Sequence, residues 1–145
     1  MELIIIISFQ DAIEKSDEPV EPHPLWEYPG RALSRPFKTM SLDLVRSLKY
    51  QAGDCNGQVQ LEADGCFNAI ALWMDWDLDS ETTVSGGPTA SVQLGRQVEW
   101  DRHSKQGVYF VKEPAVVTGS HGQRLHYRVS LIADTGEFKI DFSLQ

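Results

Sequence analysis

The stretch Cys66-Phe-Asn-Ala-Ile-Ala-Leu-Trp-Met-Asp-Trp-Asp-Leu-Asp79 indicates the fold class more clearly than any other part of the chain. Its residues alternate with a period of two, which is the pattern of a β-strand. The alternation gives one face with Ile70, Leu72, Met74, Trp76 and Leu78, and an opposite face with Phe67, Ala69, Ala71, Trp73, Asp75 and Asp77. A strand that is apolar on both faces and then acidic on one passes from a covered interior to a rim. The pattern predicts one long central strand of an all-β domain.

Other alternating, β-branched or mostly apolar segments predict further strands around this one. They are Leu3–Phe9, Leu25–Tyr28, Phe37–Leu44, Val59–Leu61, Thr82–Ser85, Gln106–Val111, Leu125–Leu131 and Phe138–Leu144. The last two flank a glycine-containing turn and are expected to pair as a hairpin. Apart from one turn near residues 42–49, no segment predicts a helix. Many short strands at close spacing are typical of an antiparallel β-sandwich or β-barrel.

Turn-forming and charged residues predict where these strands end. Asp64-Gly65 predicts a tight hairpin leading into the central strand. The acidic, proline-rich segment Gln10–Pro24 predicts a loop, and Gln51–Gly57 has the composition of a turn. Lys112-Glu113-Pro114 is expected to end the strand before it.

Composition bounds the class of protein. A chain of 145 residues with 41% hydrophobic residues fits one domain with a single core. The net charge is −8 and the cations are not clustered, so we expect no nucleic acid as a partner. The apolar run Leu3–Ile7 is far shorter than the roughly 20 residues that a membrane span needs, so we expect no membrane partner.

Residues that could carry chemistry do not form a recognisable site. Cys55 and Cys66 are the two cysteines, and neither they nor the four histidines have metal-ligand spacing, so no metal site is predicted. The alternate acids from Asp75 to Asp79 lack the glycine and the twelfth-position glutamate of a calcium loop, and they read as one solvated strand face. No glycine-rich strand-turn-helix unit exists, so no cofactor-binding residue and no catalytic residue is predicted.

Four stretches in a fixed order carry a family resemblance. They are Pro24–Pro29 (PLWEYP), Asn68–Asp75 (NAIALWMD), His103–Phe110 (HSKQGVYF) and Asp134–Phe138 (DTGEF). Together they resemble the C-terminal β-barrel domain of protein arginine N-methyltransferases, in particular the second module of members that carry two tandem modules. The resemblance covers residues 22–145, which we expect to form the β-barrel domain. Residues 1–21 are unmatched and read as a strand followed by an acidic, proline-rich linker.

The resemblance implies a two-part enzyme. In this family a Rossmann-like domain binds S-adenosylmethionine and supplies the paired glutamates that hold the substrate arginine, and the β-barrel closes one side of the arginine groove. Neither motif of the first half is present here, so the chain is expected to be a fragment that needs no cofactor itself, although its parent uses S-adenosylmethionine. The expected partners are the rest of the polypeptide (the Rossmann-like half and the first module) and the parent's arginine-containing protein substrates, such as histones. The expected location is the cytoplasm and the nucleus.

The same resemblance implies a degenerate substrate-side loop. The family's Thr-His-Trp loop corresponds to Arg102, His103 and Ser104, followed by the matching Lys105 and Gln106. Only the histidine is kept, and serine cannot supply the aromatic wall of the arginine groove. The resemblance therefore implies a non-catalytic pseudo-module within a parent that adds one methyl group to arginine.

Two alternatives remain open at this point. One is an independent β-sandwich binding module with no enzymatic parent. The other is a small β-barrel enzyme that uses His103 together with Asp75 or Asp77.

Overall fold

Ten β-strands form the fold in the computed structural model, which describes residues 4–9, 18–51 and 53–145. In chain order the strands are β1 (Ile4–Phe9), β2 (Glu21–His23), β3 (Gly30–Ala32), β4 (Gly53–Gln60), β5 (Gly65–Leu72), β6 (Asp75–Asp77), β7 (Thr83–Ser85), β8 (Gln106–Val117), β9 (Arg124–Ile132) and β10 (Glu137–Leu144). The helical elements of the described residues are two short 3-10 turns, Leu48–Tyr50 and Gly119–His121. Neither is long enough to cross a membrane, and this part of the chain holds no other helix that could.

The strands form three sheets in which every strand pair is antiparallel. The largest sheet has the order β2-β8-β5-β1-β3, the second has the order β10-β9-β4, and the smallest is the hairpin β6-β7. The antiparallel, all-β fold class predicted from the alternation is confirmed. None of these sheets closes on itself through the described pairings, so the arrangement is that of packed open sheets.

The central strand is shorter than the sequence predicts. The stretch from Cys66 to Asp79 divides into β5, which ends at Leu72, and β6, which begins at Asp75. These two strands belong to different sheets, so the prediction of one continuous strand is wrong. The division leaves Trp73 and Met74 at the junction, where the chain leaves the large sheet.

Both faces of β5 are buried, as its two apolar faces predict. One face contributes Ala69 and Ala71 to a first cluster. Leu25, Val98 and Trp100, which come from the irregular segments before β3 and before β8, cover this face. The other face contributes Ile70 and Leu72 to a second cluster, which also contains Leu125 of β9. Partly buried side chains of β10 pack against this cluster. The second cluster therefore lies between the two larger sheets. A third cluster, Met40, Val129 and Leu131, lies at the far end of β9.

A large β-bulge interrupts the pairing of β5 with β8. Phe67 pairs with Ala115, but Ala69 pairs with Phe110, so the four residues 111–114 of β8 lie opposite a single residue of β5. Pro114 lies in this bulge, which suits a residue that has no N–H to donate to a ladder. The prediction that Lys112-Glu113-Pro114 ends the strand is wrong, because β8 continues through the bulge to Val117.

Other boundaries also differ from the prediction. Leu25–Tyr28 forms a turn closed by the hydrogen bonds of Glu27 N–H to Pro24 O (2.9 Å) and Tyr28 N–H to Leu25 O (3.2 Å). Residues 38–44 contain no strand, and residues 53–57, predicted as a turn, belong to β4. Glu21–His23, predicted as loop, pairs with β8 as an edge strand, and the loop predicted for residues 10–17 lies outside the described residues.

Two predicted hairpins have opposite outcomes. Asp64-Gly65 does not make a hairpin, because β4 and β5 lie in different sheets. The last hairpin is confirmed: β9 and β10 pair over eight residues each, and Gly136 takes a positive φ of 71° in their turn. Glycine adopts this conformation without the steric cost that other residues meet.

A cross-strand polar network joins β4 to β9 and provides a test by pH. The Ser130 hydroxyl donates to Asp54 Oδ1 (2.6 Å) and the Arg128 guanidinium donates to Asp54 Oδ2. The hydrogen bond from Ser130 and then that from Arg128 lower the pKa of Asp54 below its ordinary value.

A lowered folded-state pKa stabilises the protein above the ordinary pKa of aspartate, and this contribution is lost as the pH falls through the lowered value. Urea unfolding across the range from about pH 5 to about pH 2 is expected to show a steeper loss of stability for the parent chain than for Asp54→Asn. The exposed Asp134 gives the control variant Asp134→Asn. Equal slopes for the parent chain and Asp54→Asn would contradict this role of Asp54.

Candidate functional site

The loop Asp101–Gln106 holds the three residues that the resemblance singles out. Asp101 begins it: its Oδ1 accepts the backbone N–H of His103 at 2.6 Å, and its carbonyl accepts the N–H of Ser104 at 3.5 Å. An aspartate that accepts the N–H two residues later makes a local turn. This turn leaves the side chains of Arg102 and His103 exposed to solvent, while Ser104 is partly buried.

Gln106 fixes this loop to the β6-β7 hairpin. Its side chain is 1% exposed, and Nε2 donates to the Ser104 hydroxyl at 2.8 Å and to the Gly86 carbonyl at 3.0 Å. Its buried Oε1 accepts no hydrogen bond from the described residues. The buried amide of Gln106 therefore connects the loop Asp101–Gln106 to Gly86, the residue that follows β7.

Gln106→Ala is expected to lower the free energy of unfolding by about 2 kcal/mol, because it leaves the Gly86 carbonyl without its donor and opens a small cavity. Amide hydrogen exchange in residues 102–105 is expected to rise in the same variant. Gln58→Ala, at an exposed position of β4, is the control and is expected to change neither quantity. Unchanged exchange in the loop of Gln106→Ala would show that the amide does not hold it.

The acidic residues of the β6-β7 hairpin bind neighbouring hydroxyl and amide groups. Asp75 accepts the Ser85 hydroxyl, and Asp77 Oδ1 accepts the Thr83 hydroxyl at 2.7 Å. The backbone N–H of Glu81, followed by the hydroxyl and N–H of Thr82, lowers the pKa of Asp79. Within the described ranges no three His, Cys, Asp or Glu residues are placed to hold a metal ion.

This geometry bears on the catalytic alternative that uses His103. The two carboxylates proposed as its partners are engaged across their own hairpin, with Ser85 and Thr83. His103 donates its backbone N–H to Asp101, and its side chain is exposed. Among the described residues, no hydrogen bond joins the His103 side chain to Asp75 or Asp77.

A cleft between the β6-β7 hairpin and the β9-β10 hairpin is lined largely by apolar side chains. Two adjoining cavities, of about 360 and 460 Å³, share the side chains of Met74, Trp76 and Phe138. We call this combined cleft the apolar groove. Its walls come from residues 41–48, from residues 72–78, and from Leu131, Phe138 and Ile140.

Large apolar side chains of the groove are exposed. Val45 is 97% exposed, Leu78 is 66% exposed and Leu44 is 63% exposed, while Trp76 is 43% exposed. Lys105, which directly follows Ser104, lines the second of the two cavities. No single stretch of the sequence predicts this groove, because its walls come from segments that are distant in the sequence. The one available sign was Trp76 and Leu78 continuing the apolar face of the central stretch beyond the point where the other face becomes acidic.

Comparison with known proteins assigns the family. The family described as "Arginine methyltransferase oligomerization subdomain" matches residues 4–145. This chain belongs to the arginine methyltransferase family. The resemblance deduced from the four sequence stretches is thereby confirmed, and the match also includes β1, which pairs with β5 and β3 inside the large sheet.

Three relatives of this arginine methyltransferase domain share one name, protein arginine N-methyltransferase 7. The chain is 36% identical over 124 residues to protein arginine N-methyltransferase 7 of Danio rerio, covering 86% of this chain and 18% of the relative. It is 35% identical over 144 residues to the enzyme of the same name from Drosophila mojavensis, covering 94% and 20%. For Xenopus laevis the identity is 31% over 131 residues, covering 88% and 19%. The chain thus spans about a fifth of the length of these relatives.

The described residues do not form a recognisable site for S-adenosylmethionine, the methyl donor that the resemblance implies for the parent enzyme. The resemblance implies that a Rossmann-like domain binds this donor, and such folds hold their ligand at a glycine-rich turn between a strand and a helix. The helical elements described here are the two 3-10 turns, of three residues each, and neither follows such a turn. We therefore assign no cofactor-binding residue to this domain.

Proposed function

We propose that this domain is the non-catalytic β-sheet half of the second module of a protein arginine N-methyltransferase. The parent enzyme would transfer one methyl group from S-adenosylmethionine to a guanidinium nitrogen of an arginine-containing protein. The family match over residues 4–145 carries this proposal. The names of the relatives support the reaction class, since each is a protein arginine N-methyltransferase 7.

In this proposal the domain positions other parts of the same polypeptide. The exposed apolar groove supports such a role, because monomeric soluble domains rarely leave large contiguous apolar patches uncovered. The loop of Arg102, His103 and Ser104 would face the arginine groove without supplying an aromatic wall. This fits a module that stabilises its active neighbour and does not itself methylate. Residence in the cytoplasm and the nucleus is part of the same proposal.

A domain exchange tests the proposal. In the Danio rerio relative, the region that matches this chain is replaced by residues 4–145, and methyl transfer to an arginine-containing protein is measured with a labelled donor. We expect the exchanged protein to keep at least about a tenth of the parental rate, whereas deletion of the region abolishes it. An exchanged protein that is soluble and binds the donor, yet is as inactive as the deletion, would overturn the proposal.

The chain by itself is expected to be inactive in the same assay. Methyl transfer by the isolated chain, above the rate without enzyme, would contradict the non-catalytic role. It would also favour an enzyme that uses the histidine of the substrate-side loop. The variant His103→Ala distinguishes that case, since it would then lose the activity.

A further inference from the structure

Arg31 and Arg96 line a small polar pocket at the β3 edge of the large sheet. The pocket has a volume of about 210 Å³, and its other lining residues are Pro29, Gly95 and Gln97. None of these five residues is acidic, although the chain as a whole has 21 acidic and 13 basic residues. The volume lies below the roughly 300–1,000 Å³ of pockets that hold drug-sized ligands, so the pocket suits a small group.

Backbone pairing brings Arg31 and Gln97 side by side. Arg31 is the middle residue of β3, and it pairs with Gln97 in an antiparallel bridge. On either side of this bridge, backbone N–H groups donate to the carbonyls of Arg96 and Gly30 at 3.0 Å. A pair that is flanked by such bonds, and makes none itself, has the shorter separation of an antiparallel ladder. The side chains of Arg31 and Gln97 therefore begin from neighbouring positions on one face.

A tight turn sets the position of Arg96. Its N–H donates to the carbonyl of Gln93 at 3.1 Å, and Gly95 in this turn takes a positive φ of 71°. The N–H of Gly95 also donates to the carbonyl of Ala32 at 2.8 Å, which joins the turn to β3. The backbone around the pocket is therefore ordered in the absence of a ligand, and a preorganised site loses less conformational freedom on binding.

Neither arginine of the pocket forms an ion pair with a described residue. Three other arginines do, in the pairs Arg35–Glu62 (3.3 Å), Arg46–Asp43 (3.2 Å) and Arg128–Asp54. Two guanidinium groups in one pocket repel each other, and an anion between them relieves this repulsion. Guanidinium groups also bind phosphate oxygens bidentately, through a planar fork of N–H donors. The unpaired charges and the small volume together favour a compact anion.

We propose that this pocket binds a doubly charged oxyanion of the phosphate type between the guanidinium groups of Arg31 and Arg96. The side-chain amide of Gln97 supplies a further N–H donor. Two sources share this chemistry, namely a free phosphate ion and a phosphorylated serine or threonine of another protein. The inference does not rest on the proposed methyl transfer, since it concerns a pocket formed by this chain alone.

Titration of the ¹⁵N-labelled chain with inorganic phosphate at constant ionic strength tests the site. We expect saturable shifts of the backbone amide signals of Arg31, Arg96 and Gln97. The double variant Arg31→Gln and Arg96→Gln is expected to raise Kd at least about tenfold, because it removes both charge-assisted donors. The matched double variant Arg35→Gln and Arg46→Gln also removes two positive charges, but from ion-paired positions, and should change Kd less than about twofold.

Replacement of both pocket arginines by lysine separates charge from geometry. The variant Arg31→Lys and Arg96→Lys keeps both charges but loses the planar forks, so Kd is expected to rise by about threefold. Urea unfolding of all variants accompanies the titration, and each is expected to keep the midpoint of the parent chain because the replaced side chains are exposed. Binding by the lysine variant as tight as that of the parent would overturn the bidentate contact.

A second set of titrations distinguishes the two sources. It uses a peptide with one phosphoserine and the same peptide without the phosphate group. Binding of the phosphopeptide at least about tenfold tighter than that of inorganic phosphate supports a phosphorylated side chain as the ligand, whereas equal or weaker binding supports the free ion. Equal binding of both peptides at the pocket would overturn recognition of the phosphate group.

Two further results would overturn the proposal. One is the absence of saturable shifts at the three pocket signals up to about 50 mM phosphate, which corresponds to a binding free energy weaker than about 2 kcal/mol. The other is an equal loss of binding in the two glutamine double variants. That result would show a general attraction between charges, which does not depend on the pocket.

Discussion

Trp73→Ala is expected to lower the free energy of unfolding by about 4 kcal/mol, the largest loss expected from a single side chain. Trp73 is 7% exposed, and its ring meets that of Trp100 edge-to-face with centroids 5.7 Å apart. Its removal would leave a large cavity in the cluster that covers the first face of β5. Equilibrium urea unfolding, followed by intrinsic fluorescence and by circular dichroism, measures the loss.

Trp76→Ala is the matched control, three residues further along the same stretch. Because Trp76 is 43% exposed in the groove, its replacement is expected to cost only about 1 kcal/mol in the isolated chain. Equal losses for the two tryptophans would contradict the division of this stretch between a buried junction and an open groove.

Gly119→Ala is expected to destabilise the fold by about 2–3 kcal/mol through overpacking. A Cβ at Gly119 would lie 2.3 Å from the carbonyl oxygen of Glu62 and 2.5 Å from its carbonyl carbon. These are backbone atoms, so they cannot rotate away as the end of a side chain could. Gly119 N–H also donates to Asp64 Oδ1 at 2.8 Å, which holds the turn against the connection between β4 and β5.

Gly53→Ala is the matched control for this second prediction. A Cβ at Gly53 would have no atom within 4 Å, so thermal and urea unfolding should show no loss of stability. If Gly119→Ala were as stable as Gly53→Ala, the close approach of the two backbone segments after β4 and β8 would be refuted.

The parts of the fold that the sequence predicts well are those in which local pattern and tertiary burial agree. In β9 and β10 the alternation, the glycine turn and the burial of Leu125, Val129 and Leu131 all favour the same hairpin. In β5 the apolar residues on both faces predict burial on both sides, and the structure provides a cover for each.

The errors arise where tertiary pairing overrides local preference. Residues 53–57 contain glycine, aspartate and asparagine, which favour turns. They nevertheless pair with β9 from Gly53 onward, because the sheet supplies backbone hydrogen bonds and Asp54 binds Arg128 across the strands. Leu25–Tyr28 alternates like a strand, but local hydrogen bonds close it into a turn that buries Leu25. Pro114 suggests a strand end, and the strand accommodates it in a bulge.

The candidate site was predictable only in part. The loop of Arg102, His103 and Ser104 could be located through the resemblance, because its neighbours Lys105 and Gln106 keep the family pattern. The groove could not be located, since Leu44, Trp76 and Phe138 come together only when three separate segments fold. The periodicity of a single segment cannot predict contacts between segments that are distant in the sequence.

We propose that this arginine methyltransferase domain supports catalysis without holding the methyl donor. Calorimetric titration of the isolated chain with S-adenosylmethionine tests it most directly, with the domain-exchange protein as the positive control. We expect saturable heat from the exchange protein and none from the isolated chain at the same concentrations. Saturable binding to the isolated chain, with a stoichiometry near one, would show that this domain holds the methyl donor itself.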